Sequence, residues 1–519
     1  MADSNHFDVL VIGGGPAGYV GAIRAAQLGF RVAVVERAKL GGVCLNWGCI
    51  PSKSLLANAE LVEKLKKQED QKFWGLKING EISLDWDRII GRSREVASKL
   101  NGGIGFLLKK NKIEHIVGNA KITKAEALAG GKAKVTVDVQ ECAVKEELTS
   151  APATPGKTLR TITADHVIVA TGSVARDLPF AKFDGDKIWG AREAMFNKEQ
   201  PKKLIVVGAG AIGMEFAYFY HSMGTDVTVV EMMDRILPVE DNDISAAMQR
   251  LYEKHGFKFM LSTTTTAVEK TATGVKVTVA PFAGGKADES KKQTLEADRV
   301  LLAIGVVGRT DGLCDAALGL KLDRGHIVTD YKPGITKDEA IDYKASLPGV
   351  YAVGDVIGPP WLAHVASDEA ITCVERIAWK LKKWPHEPYP INYTVVPGCT
   401  YCIPQVASVG FTEQKLIEQG LTKGKDYELG TYKFQAHGKA IAAAHTDGMV
   451  KIIRGLPRGE ILGAHIMGDQ ATELIAELTL ARRLEATTEE LIVTMHAHPT
   501  MHEAIREAAM ASEGRLIHG

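Results

Sequence analysis

The stretch Asp8–Arg37, DVLVIGGGPAGYVGAIRAAQLGFRVAVVER, decides the fold. It runs from a short apolar strand through Gly13, Gly15 and Gly18 in G-x-G-x-x-G spacing. An amphipathic helix follows, then a second strand that ends in an acid, Glu36. A lone glycine pattern of this kind says little, but strand, glycines, helix, strand and terminal acid in order form a dinucleotide fingerprint. The glycines permit a tight turn and let the backbone reach a pyrophosphate, which sits at the positive end of the helix. The carboxylate accepts hydrogen bonds from a ribose 2′-hydroxyl and would repel a 2′-phosphate.

The pattern occurs twice. Lys203–Met232, KLIVVGAGAIGMEFAYFYHSMGTDVTVVEM, repeats it with Gly208, Gly210, Gly213 and the acid Glu231, and in both copies the acid stands 23 positions beyond the first glycine. Only Arg235 lies near Glu231 in the following MMDRIL, so the second cradle is expected to take NAD rather than NADP. A second pair of echoes frames this copy. ADHVIVATGS (Ala164–Ser173) and ADRVLLAIGV (Ala297–Val306) both read as strands leaving one domain, at Gly172 and Gly305. An NAD module inserted into an FAD module follows, the latter resuming near Gly305 and continuing through PGVYAVGD to Asp355. The expected class is α/β, with two Rossmann-like dinucleotide-binding domains. Residues 1–173 and 305–385 form the FAD-binding part and 174–304 the NAD-binding part, with an α+β domain at 386–519.

Bulk properties exclude several functions. Lysine plus arginine equal aspartate plus glutamate at 63 each, leaving no excess charge for nucleic acid or an anionic membrane. No apolar run approaches the roughly 18 residues needed to span a bilayer. The start, MADSNHFDVLVIGGG, reads neither as a secretory signal nor, being acidic, as a transit peptide. The seven cysteines are an odd number and too few for a disulfide framework. A reducing compartment is expected: bacterial cytoplasm, or the mitochondrial matrix for a matured form.

Cys44 and Cys49 in GGVCLNWGCIPSK (Gly41–Lys53) directly follow the first cradle. The residues alone leave three readings: a structural staple, half of a zinc site, or a redox-active pair. The spacing is wide for a zinc knuckle and no second cluster follows, so no metal is expected. A staple is unusual in a reducing compartment. Two dinucleotides in one chain point instead to an electron relay between a nicotinamide and a flavin, with the pair beside the flavin. Pro51 and Ser52 predict a helix start, which places Cys49 just before a helix N-terminus, where a thiolate is stabilised.

GGVCLNWGCIPSK together with HAHPTMHEA near the C-terminus closely resembles the flavin-dependent disulfide reductases, the pyridine nucleotide-disulfide oxidoreductases, over Asp8 to about Ala509. Within the family, the IPSK and HAHPT combination is that of the members that oxidise dihydrolipoamide with NAD⁺. The resemblance implies that Cys44 is the interchange thiol and Cys49 the thiol in contact with FAD. It further implies that Lys53 lies near the flavin and pairs with Glu215. Thr171, Gly172, Asp355 and Leu362 to His364, Ala363 among them, are expected at the FAD, beside Gly13, Gly15, Gly18 and Glu36. Gly305 is expected at the NAD, with Gly208, Gly210, Gly213 and Glu231.

The resemblance makes the C-terminal third, from YTVVPGCTYCIPQVASVGFTE onward, the interface domain of a homodimer. His498 and Glu503 in HAHPTMHE become a base and its orienting carboxylate, acting on the partner subunit's cysteines. Implied partners are lipoyl domains and the peripheral subunit-binding domain of 2-oxoacid dehydrogenase complexes, or a lipoyl-bearing protein of glycine cleavage. The rival readings are a glutathione or mercuric reductase and a redox sensor that never turns over. Glu231 speaks against the first, and the chain's final EGRLIHG, which lacks a cysteine pair, against the second. The complete set Cys44, Cys49, His498 and Glu503 speaks against the sensor. Cys399 and Cys402, despite thioredoxin-like spacing, are expected to be buried or idle thiols. Cys142, Cys314 and Cys373 are expected as packing residues, and His496 and His502 as packing or surface residues. VVGRTDGL after Gly305 departs from the family pattern, and the segments 135–159 and 331–349 are longer than usual.

Overall fold

The computed structural model describes residues 5–66, 74–80, 82–129, 132–142, 155–332 and 339–519. The first cradle folds as strand β1 (His6–Ile12), helix α1 (Pro16–Gln27) and strand β2 (Val32–Glu36). β1 and β2 pair in parallel with Ile12 beside Val35, and every residue of β2 is buried. Four consecutive apolar residues are buried in each, Val9–Ile12 and Val32–Val35, because a parallel strand covered on both faces has no solvent side. Gly13 has φ +105°, and a Cβ there would lie 2.3 Å from the Ala170 carbonyl oxygen. A Cβ on Gly18 would lie 1.8 Å from the Gly13 oxygen. No other residue lets α1 spring from β1 at this distance.

Helices α2 (Gly42–Trp47) and α3 (Cys49–Lys66) follow. α3 starts three residues earlier than Pro51 and Ser52 predict, so Cys49 is its first residue rather than the one before it. Pro51 falls inside the first turn, where its missing N–H costs no hydrogen bond. Farther on come β3 (Glu114–Val117), β4 (Asn119–Ala127), β5 (Ala133–Cys142) and β6 (Pro155–Val169). They complete a seven-stranded sheet in the order β3-β2-β1-β6-β5-β4. The seventh strand, Val350–Ala352, pairs in parallel with β6. Within 135–159, β5 pairs with both β4 and β6, so the expected hairpin is part of a three-stranded antiparallel extension. Its connection, 143–154, lies outside the described residues, as does 333–338 within the long segment 331–349.

Between β6 and Val350 the chain builds a second unit. Its five parallel strands run in the order Lys258–Met260, Asp226–Val230, Lys203–Val207, Arg299–Leu302, Ile188–Trp189. An antiparallel sheet of Thr263–Lys270, Val275–Ala283, Lys286–Ala287 and Gln293–Ala297 is attached, and its tip at Gly284 and Gly285 is the exposed hairpin expected at 280–292. Outgoing Ser173–Ala175 pairs antiparallel with returning Val306–Gly308, so the insertion hangs from a two-strand neck. The C-terminal unit is a five-stranded antiparallel sheet backed by helices Ala471–Arg483 and Glu503–Ala511. The sheet and helices enclose an apolar core of their own that includes Ile466, Leu478 and Ile505.

A buried charge cluster joins the second and third units. Lys451, 1% exposed, reaches Asp241 at 2.8 Å, Asp243 at 2.6 Å and Glu413 at 2.8 Å. Asp241, fully buried, also accepts the backbone N–H groups of Asp243 and Glu413. A buried carboxylate stripped of its cation is strongly destabilising. Lys451→Ala is expected to lower stability by about 3–5 kcal/mol, read as a drop in the denaturant midpoint; a loss under about 1 kcal/mol would show that the cluster contributes little.

Candidate redox site

The glycine pair before the cysteines has a steric purpose. Gly41 and Gly42 have φ +88° and +57°, and a Cβ on Gly42 would lie 2.7 Å from the Gly15 Cα. The Gly41 N–H donates to the Gly14 carbonyl at 2.7 Å. α2 is thereby pressed against the glycine loop of the first cradle. Gly48 then breaks α2 from α3, with φ −139° and ψ −117°. The break sets the two cysteines side by side as free thiols that hydrogen-bond each other.

The pair is electrically asymmetric. The hydrogen bond from Cys44, followed by the nearby Lys53 charge, holds the Cys49 thiol below its ordinary value despite burial. The same hydrogen bond and burial push the Cys44 thiol up. Of the two, Cys49 is therefore the readier to give up its proton and Cys44 the readier to keep it.

Lys53, one turn into α3, donates to both oxygens of Glu215 at 3.0 and 2.9 Å. Glu215 comes from helix Ala211–Ser222 of the second unit and also accepts the Tyr401 N–H at 3.0 Å. The Lys53 ammonium lies 4.1 Å from the centre of the Tyr401 ring. Tyr401 is a contact that sequence reading missed. The cysteines on either side drew attention in PGCTYCIP, and nothing in the local pattern marks the aromatic between them.

The two cradles match atom for atom. Glu36 accepts the Gly14 N–H at 2.6 Å on one oxygen and the Ala38 N–H at 2.7 Å on the other. Glu231 accepts those of Ala209 at 2.6 Å and Met233 at 2.8 Å. One cavity of about 1810 Å³ connects the cradles with the thiols. Gly13, Gly15 and Glu36 line it at one end, and Gly208, Gly210 and Glu231 at the other. Cys44, Cys49, Lys53 and Glu215 lie between them. Gly18 and Gly213 sit beneath the loops, where a Cβ on Gly213 would lie 1.9 Å from the Gly208 oxygen. Thr171, Gly172, Gly305, Leu362, Ala363 and His364 are on the wall.

Asp355 also faces the cavity and accepts the Ser173 hydroxyl at 2.6 Å; burial pushes its carboxyl up. A buried carboxyl whose remaining lone pairs face a cleft suits the hydroxyls of a polyol. With glycine loops open to phosphate at both ends and a carboxylate for each ribose, the residues present fit two dinucleotides. Arg309, in the departing VVGRTDGL, fastens its backbone to Thr171 and Gly172 and lines the same wall.

His498 and Glu503 do not line this cavity. His498 Nδ1 is 2.8 Å from Glu503 Oε1, and its side chain is 80% exposed. Because a carboxylate only accepts, Nδ1 carries the proton and Nε2 presents a lone pair outward. The Thr500 N–H holds the other Glu503 oxygen at 2.9 Å. His496 and His502, expected as packing or surface residues, both bond Glu477. Burial pushes the Cys399 thiol up to about 11 and the fully buried Cys402 up to about 12, although Cys399 reaches the cavity wall. Cys142 also reaches that wall, whereas Cys373 is fully buried. Among the described residues no group of three or more His, Cys, Asp or Glu is placed to hold a metal ion, and no helix is long and apolar enough to cross a membrane.

Residues 7–370 match the family model described as pyridine nucleotide-disulphide oxidoreductase, and residues 396–509 match that of its dimerisation domain. A protein of Rhizobium etli named dihydrolipoyl dehydrogenase is 45% identical over 100% of both chains. One of the same name from Zymomonas mobilis is 41% identical over 100% of both. The crystal structure of LpdA from Mycobacterium tuberculosis superposes with a TM-score of 0.79 at 26% identity, covering 96% of this chain and 98% of its own.

An opposite charge a few ångströms away shifts a pKa by about 1–3 units. In Cys44→Ser, the ultraviolet thiolate absorbance of Cys49 is expected to titrate below the ordinary thiol value of about 8.5. Adding Lys53→Ala should move that titration up by about one unit, and an unmoved curve would remove Lys53 from the account.

Proposed function

We propose, for a chain that belongs to the pyridine nucleotide-disulphide oxidoreductase family and is an NAD-dependent flavoprotein oxidoreductase, that it oxidises protein-bound dihydrolipoyl groups with NAD⁺. The observation that carries this reading is the thiol pair itself, Cys44 and Cys49 lining with Lys53 the one cavity that both cradles reach, with Cys49 the more acidic of the two. Bound FAD supplies a two-electron relay between the thiols and NAD⁺. Gly13, Gly15, Glu36, Thr171, Gly172, Asp355, Leu362 and Ala363 would hold the FAD, and Gly208, Gly210, Glu231 and Gly305 the NAD. Gly18 and Gly213 allow the two loops to close. The matching division of the chain is 1–173 with 305–385, 174–304, and 386–519.

In the resting oxidised pair, Cys44 and Cys49 share a disulfide. His498 of one subunit takes the proton of a substrate thiol at Nε2, while Glu503 stabilises the imidazolium through Nδ1. The thiolate attacks the Cys44 sulfur, a mixed disulfide forms, and Cys49 leaves as thiolate. His498 passes that first proton to solvent, takes the proton of the second substrate thiol, and the second sulfur attacks the first. The cyclic lipoyl disulfide closes and Cys44 departs, taking up the proton from His498. Two electrons and two protons have left the dithiol. The two-thiol arrangement, with Cys44 donating to Cys49, corresponds to the product of this half-reaction.

The dimerisation domain makes the protein a homodimer. Because His498 and Glu503 lie away from their own chain's cavity, they serve the partner's cysteines in this reading. The lipoyl groups would arrive on lipoyl domains of 2-oxoacid dehydrogenase complexes or on a lipoyl-bearing protein of glycine cleavage. A peripheral subunit-binding domain would tether the enzyme, in the bacterial cytoplasm or the mitochondrial matrix. No role for nucleic acid or a membrane enters this reading.

The flavin-loaded protein is expected to oxidise dihydrolipoamide with NAD⁺ and to leave glutathione and NADPH untouched. Cys44→Ser should abolish turnover with the flavin retained, and His498→Ala should slow it about 10²–10⁴-fold. Turnover of glutathione disulfide with NADPH, or full activity in Cys44→Ser, would overturn the assignment.

A further inference from the structure

His498 stands on an arc of chain between helices Thr488–Val493 and Glu503–Ala511. Its own ring makes one side-chain hydrogen bond, to Glu503, and is largely exposed, so the course of the arc largely decides where Nε2 points. One carboxylate fastens that arc on both sides. Glu477, on helix Ala471–Arg483, is 2.7 Å from His496 Nε2 through one oxygen and 2.8 Å from His502 Nδ1 through the other. The two histidines stand two positions before His498 and four after it.

The clamp is specific. The His496 side chain is only 6% exposed, and its second nitrogen, Nδ1, lies 3.1 Å from the Thr494 carbonyl. Carboxylate and carbonyl oxygens only accept, so the two contacts are both made as hydrogen bonds by the protonated ring, which Glu477 favours. The pairing also raises the His496 value above that of a free imidazole. A third point is held by His437, whose Nε2 donates to the Thr500 carbonyl at 2.8 Å. These three fastenings fall on the arc, and the His498 ring itself is held by Glu503.

We propose that Glu477 is a positioning residue for this reaction, one carboxylate gripping His496 and His502 so that the arc between them presents His498 in a single orientation. The proposal rests on the reading of His498 as the base. Misplacing a reacting group by about an ångström costs on the order of 10²-fold in rate, and an arc freed at both ends allows such a shift.

The test compares Glu477→Ala, Glu477→Gln and His502→Ala with His498→Ala, and with the double variant Glu477→Ala/His498→Ala, all as flavin-loaded dimers. Dihydrolipoamide oxidation by NAD⁺ is measured beside NADH reduction of ferricyanide, which uses both cofactors but needs no deprotonated substrate thiol. Glu477→Ala is expected to lower kcat for dihydrolipoamide about 10–100-fold, with KM, ferricyanide reduction and dimer mass unchanged. Glu477→Gln should keep most of the rate, since its amide accepts from one ring and donates to the other. His502→Ala, which leaves half the clamp, should lose about threefold and carries the comparison if Glu477→Ala does not fold.

In the His498→Ala background, Glu477→Ala should cost nothing further. Wild-type rates in Glu477→Ala beside a slow His498→Ala would overturn the clamp and leave the base reading standing. An unimpaired His498→Ala would overturn the base reading itself. A parallel loss of ferricyanide reduction, a dissociated dimer, a Gln variant as slow as Ala, or additive losses in the double variant would each reduce Glu477 to a structural residue and overturn the proposal.

Discussion

The ammonium of Lys53 is where the three units of the molecule meet. It grows from the cysteine helix of the first unit, is gripped by both oxygens of Glu215 from the second, and faces the ring of Tyr401 from the third. An ion pair this enclosed must recover a desolvation cost of several kcal/mol through saturated hydrogen bonding. Glu215 achieves this with three donors, two contacts from Lys53 and the Tyr401 N–H. The charge so fixed also biases Cys49 toward thiolate. One contact thus serves both the joining of the three units and the chemistry of the thiols.

The same economy appears at the two cradles. In each, the acid read from sequence as a ribose ligand already accepts two backbone N–H groups, one from the glycine loop and one from two residues beyond itself. The carboxylate thus stiffens the loop before any ligand arrives. Ordering paid during folding need not be paid on binding, which favours tight retention of a dinucleotide.

Legibility in the sequence followed the range of the interactions. The cradles were readable because their physics is local: strand, turn and helix fall within thirty or so residues, and the glycines are demanded by contacts with near neighbours and with the exit strand. The insertion was readable because its entry and exit strands echo each other. The function followed from motifs that match a known family, and the pairing of Lys53 with Glu215 came with that resemblance. What escaped was long-range or geometric. The early start of α3 at Cys49 depends on the kink at Gly48, which no propensity marks. Tyr401 acts through a partner 186 residues away and Lys451 through one 210 away, while those of Glu477 stand 19 and 25 residues on, and only the folded chain brings each set together. His502 could be recognised as more than a surface residue only once Glu477 was seen beside it.

The returning strand Val350–Ala352 has a consequence for biosynthesis. β6 is complete at Val169, yet the edge that Val350–Ala352 will cover waits until the whole intervening unit has been translated. At about 5–20 residues per second that interval is on the order of ten to forty seconds. During it the nascent chain presents a bare, apolar strand edge to its surroundings, the kind of surface on which neighbouring chains aggregate. The inserted unit has all its own strands by Leu302 and can fold first on the ribosome. The half-built parent around it is then the species that most needs a chaperone.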